Sequence, residues 1–88
     1  MNAMTTEEVR DRMRNLQSKL QHLGVGNTDA DKSFDEELRP LELALSNDKR
    51  VAAIRHDFDQ LLQRSGAMRD RARLNLGITI AEFQKFIE

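Results

Sequence analysis

The sequence predicts an all-α fold: a small bundle of three to four helices, made of an antiparallel helical hairpin plus a short C-terminal helix. Three observations carry this. Apolar residues recur at steps of three and four along most of the chain, which is the period of a helix face and not of a strand. Leu, Ala, Arg, Glu and Gln, all good helix formers, dominate a chain with one Pro and four Gly. Three hydroxyl residues stand three places before a Glu, the capping-box spacing that opens a helix.

The first helix is predicted to start at Thr5, whose hydroxyl caps free amides while Glu8 reaches back. Its apolar positions Val9, Met13, Leu16, Leu20 and Leu23 form a heptad seam. Glu7, Glu8 and Asp11 lie near its positive end and Lys19 and His22 near its negative end, the order that the helix dipole favours. Gly24 is expected to end it, and 24–33 reads as a polar loop without periodicity.

Ser33 with Glu36 makes a second capping box, followed by Phe34, Leu38, Leu41 and Leu45 at helical spacing. Pro40 falls inside this stripe. It lacks an amide donor, so the sequence predicts either a kink there or a main helix that begins at Pro40. Ser46, Asn47 and Asp48 supply turn and N-cap chemistry for a tight hairpin. A third stripe then runs through Val51, Ile54, Phe58, Leu61, Ser65, Met68, Ala72 and Leu76, with its weak point at Ser65-Gly66. The last segment is expected to start at Thr79, paired with Glu82 in a third capping box. Ile78 and Phe83 form a hydrophobic staple across that start, and Phe83, Phe86 and Ile87 share one side.

At 88 residues the chain fits one domain, 1–88, with residues 1–4 as a flexible start. A core of this size leaves stability marginal, which favours help from a partner. There is no Cys, which removes disulfide frameworks, thiolate zinc sites and Cys nucleophiles. A formal net charge of −1 gives no global field toward nucleic acid or an anionic membrane. No run approaches the length of a membrane span and the start lacks a signal-peptide pattern, so no membrane partner and a cytoplasmic location are expected.

No residue set offers recognisable chemistry, and no cofactor, metal or catalytic residue is expected. His22 and His56 have no second ligand at helical spacing, and Ser18, Ser33, Ser46 and Ser65 lie in no nucleophile elbow. The stretch NTDADKSFDEE alternates oxygen donors at Asn27, Asp29, Asp31, Ser33 and Asp35. An EF-hand loop requires Gly where Lys32 stands and Glu where Leu38 stands.

Two binding readings remain. In the first, the chain is a non-enzymatic protein–protein interaction module, a small adaptor, chaperone-like factor or regulator, that binds a protein partner or a second copy through an apolar helical face. Its candidate residues are Val9, Met13, Leu16, Leu20, Phe83, Phe86 and Ile87, set against the plainer expectation that they fill the domain's own core. Arg64, Arg69, Arg71 and Arg73 form a candidate basic patch, set against local ion pairs with the interspersed acids.

In the second, residues 69–87 resemble a helix-turn-helix, with an Arg-rich run, a turn at Leu76-Gly77-Ile78, and Phe83 and Phe86 packing inward. The resemblance implies a DNA-binding transcriptional regulator. Arg73 stands where that pattern expects a small residue, and IAEFQKFIE offers only Glu82, Gln84 and Lys85 to bases.

Overall fold

The computed structural model describes residues 4–23 and 28–87. Four helices follow one another: α1 (Thr6–Leu20), α2 (Thr28–Ala44), α3 (Lys49–Leu62) and α4 (Gly66–Ile87). Among the described residues there is no strand, and the fold is a small all-α bundle.

Cross-helix contacts fix the topology. Arg12 meets Glu37 and Lys19 meets Ser33, so α1 and α2 run antiparallel. Asp57 bonds Thr79 while Arg50 lies over Phe86, which makes α3 and α4 antiparallel too. Gln17 bonds Gln84, and Arg10 donates to the Ile87 carbonyl oxygen at 3.0 and 3.2 Å, closing the ring between α1 and α4. The bundle is therefore up-down-up-down, the arrangement that short connections favour.

The α1 start follows the sequence. Thr5 Oγ1 accepts from the Glu8 amide and Glu8 Oε1 accepts from the Thr5 amide, both at 3.1 Å. Val9, Met13, Leu16, Leu20 and Leu23 are all buried in the bundle's own core. Phe34 and Phe58 meet there with ring centroids 4.6 Å apart, within the range that favours tilted aromatic pairs. The expected flexible start falls outside the described residues except for Met4, as do Gly24 and the first part of the expected polar loop.

Four expectations are corrected. The loop expected over 24–33 is helical from Thr28, so Ser33 is an interior residue whose hydroxyl accepts from Lys19 Nζ at 2.8 Å. Asp29 and Asp31 occupy the first turn of α2, where the helix dipole favours acids. Of the two alternatives at Pro40, a main helix that begins there is the one corrected, since α2 runs through Pro40 for one more turn. The core contacts of Leu38 and Leu41 and the Glu42–Arg55 fork hold the helix on both sides of Pro40 despite the missing amide bond to Glu36.

The third stripe breaks where its Gly lies. α3 ends at Leu62, and Gly66 opens α4 at φ +57, a left-handed conformation that Gly adopts without the Cβ penalty. The break rotates Met68 out of the stripe, and it is 53 % exposed. α4 then runs unbroken through Leu76-Gly77-Ile78-Thr79, so no helix starts at Thr79. The Thr79 hydroxyl faces two acceptors, the Asp57 carboxylate and the Asn75 carbonyl, and so donates instead of capping an amide. Ile78 forms no staple with Phe83: it is 60 % exposed while Phe83 is buried.

Candidate interaction surface on α4

α4 carries apolar residues on two sides. Leu76, Ile80 and Phe83 point into the core, with Ala72 and Ile87 packed at its edge. At about 100° per residue, positions 67, 71, 74, 78, 81 and 85 fall on the opposite side. They are Ala67, Arg71, Leu74, Ile78, Ala81 and Lys85, with Leu74 55 % exposed. A surface helix of a small domain ordinarily shows one apolar stripe and a polar back. Here the back has an apolar centre, Leu74 beside Ile78 one turn on, between charged ends.

The flank toward α3 is also partly apolar. Met68, Arg71 and Asn75 line a groove with Asp57, Gln60 and Arg64, and Glu82 and Phe86 line another with Arg50 and Ala53. Phe86 is 65 % exposed, and the Arg50 guanidinium lies 3.5 Å from its ring centroid. Asp48 holds that guanidinium with a two-pronged bond at 3.0 and 3.1 Å, and the same bond keeps the Asp48 carboxyl below its usual range. Arg50 is thereby fixed as a lid on Phe86. Arg71, Glu82 and Lys85 have no ion-pair partner among the described residues.

The structure divides the residues that the sequence singles out. Val9, Met13, Leu16, Leu20 and Phe83 are spent in the core and present nothing to a partner. Ile87 is half-buried against that core, which leaves Phe86 exposed. The four-arginine patch is not assembled. Arg69 is buried and donates to the Leu23 carbonyl and the Asp31 carboxylate, both at 2.7 Å, tying the ends of α1 and α2 to α4. Arg73 pairs with Asp70 at 2.9 Å, and Arg64 bonds Gln60, so among the described residues Arg71 alone of the four has no such partner.

A helix-turn-helix needs a turn between two helices, and residues 69–87 lie within one helix. The described donors of the EF-hand-like stretch are dispersed for the same kind of reason, and Asn27 lies outside the described residues. Alternate residues on a helix point roughly 200° apart, and here Asp31 turns to Arg69, Ser33 to Lys19 and Asp35 to Arg39 and Arg55. No group of His, Asp and Glu among the described residues is placed to hold a metal ion. No described helix is long and apolar enough to cross a membrane.

Sequence reasoning missed this pair because it left Leu74 off the stripe of the third helix and assigned Ile78 to a turn before a fourth. The available signal was the doubling of apolar positions after residue 73, with one set at 76, 80 and 83 and a second at 74 and 78. Comparison with protein-family models, curated proteins and solved structures finds no match.

Proposed function

We propose that the chain is a non-enzymatic protein-interaction module, a small adaptor, chaperone-like factor or regulator, that receives an apolar helix along the outer face of α4. The supporting observation is the pair Leu74 and Ile78, one turn apart and more than half exposed on a helix whose other face already fills the core. Full burial of a Leu or Ile side chain stabilises by about 1.5–3 kcal/mol. Roughly half of that remains to be gained at each, and Met68 and Phe86 add to it. Association itself costs at least about 4 kcal/mol, so this face alone supports only weak binding, and the apolar side chains of the partner must supply the rest.

The charged side chains around the pair set register and partner choice more than affinity. Arg71 lies toward one end of the seam and Glu82 and Lys85 toward the other, all without an ion pair among the described residues. A chain without Cys needs no oxidising compartment, and we read it as acting in the cytoplasm.

A photo-crosslinking residue in place of Ile78, in living cells, tests this. The expected result is one discrete protein adduct that is lost on adding Leu74→Asp and absent when the crosslinker replaces exposed Gln63. Equal diffuse labelling from both positions, or none from either, would remove the α4 face as an interface.

A further inference from the structure

We infer that the helix received on the α4 face is α4 of a second copy of this chain, lying antiparallel about a two-fold axis beside residue 76. This rests on the α4 face being an interface and names its occupant. The seam positions are symmetric about residue 76: Leu74 is placed against Ile78 of the second copy, Arg71 against Ala81, and Ala67 against Lys85. Small residues therefore oppose long ones, and the two large apolar side chains oppose each other. Interdigitation of this kind is what a two-stranded seam requires.

Charge supplies the direction. Arg71 and Glu82 both line grooves shared with α3, so they lie on the same flank of α4. The two-fold axis across an antiparallel pair brings like flanks together, so each Arg71 meets Glu82 of the other copy and the contact forms twice. In a parallel pair the two-fold axis runs along the helices and puts like flanks on opposite sides of the seam, so Arg71 and Glu82 lose each other while Lys85, on the centre line, faces Lys85. The lost pairs and the like-charge contact select against that alternative. A net charge of −1 per chain adds little long-range repulsion to either arrangement.

The absence of Cys from these 88 residues makes a clean test in this chain. In the antiparallel pair, two Cys at 75 lie about 3 Å apart along the axis, whereas two at 67 lie about 27 Å apart. A short thiol–thiol crosslinker should therefore join Asn75→Cys to itself. It should leave Ala67→Cys single, and it should join Ala67→Cys to Lys85→Cys when the two variants are mixed.

Light scattering across concentration should show a monomer–dimer equilibrium that Arg71→Glu or Glu82→Arg weakens about tenfold and that the double exchange restores. These are exposed positions, so circular dichroism should stay unchanged in every variant. Self-crosslinking at 67 but not at 75, or a monomer up to about 1 mM, would overturn the inference. If that monomer still gives a discrete adduct to another protein from residue 78, the interface stands with a different occupant. If it gives none, both readings fall.

Discussion

Gly77 of α4 lies so close to Leu20 of α1 that a Cβ on it would stand 2.9 Å from Leu20 Cδ2. The close approach of two helices, and not a turn, is what places a Gly in the LGIT stretch. Replacing Gly by Ala in a helix interior gains about 1 kcal/mol, while moving Leu20 off its rotamer costs about 0.5–1.5 kcal/mol. Gly77→Ala should therefore unfold in urea within about 1 kcal/mol of the parent, and Gly77→Val, which adds branched methyls, should lose about 1–3 kcal/mol.

The same pair explains what the sequence conceals. Gly, Thr and a following Glu are the marks of a helix junction, and only the packing against Leu20 and the donation to Asp57 turn them into helix interior. The seams of α1 and α3 were legible because each has one apolar face, Val9 to Leu23 and Val51 to Leu61. The start of α2 was not, because its first six residues contain no large apolar side chain and are held by polar contacts to other helices. In the candidate surface, Phe86 was legible as an apolar end. Leu74 and Ile78 were hidden by a helix that is apolar on both sides.

Arg69 and Arg71 are two residues apart and opposite in role. Arg69→Met leaves the Leu23 carbonyl and the Asp31 carboxylate without their donor, and should cost about 2–4 kcal/mol. Arg71→Met removes an exposed cation without an ion pair among the described residues and should stay within about 0.5 kcal/mol. Urea midpoints of the two variants check this, and equal losses would contradict the placement of Arg69.

Partial burial raises the Asp35 carboxyl, and hydrogen bonds and attraction from Arg55 and then Arg39 overcome it, so Asp35 titrates below its ordinary value. A carboxyl depressed by folding contributes stability that is complete above its unfolded pKa of about 3.9 and disappears as pH falls through the folded value. Unfolding at a series of pH values should show this loss below about pH 4. Arg55→Gln should flatten the slope there, because the folded and unfolded values of Asp35 then draw together.

Pro40 supplies no amide to the Glu36 carbonyl one turn before it in α2. An interior Pro costs about 3 kcal/mol, part of which is returned by the stiffer unfolded chain. Pro40→Ala should raise stability by about 2 kcal/mol, read as a higher urea midpoint with an unchanged slope.

The proposed function puts binding, and not the fold, on the outer face of α4. The decisive measurement is urea unfolding of Ile78→Asp together with its sedimentation across concentration. Unfolding within about 0.5 kcal/mol of the parent together with loss of association is expected. A fold weakened by more than about 2 kcal/mol with association intact would contradict it.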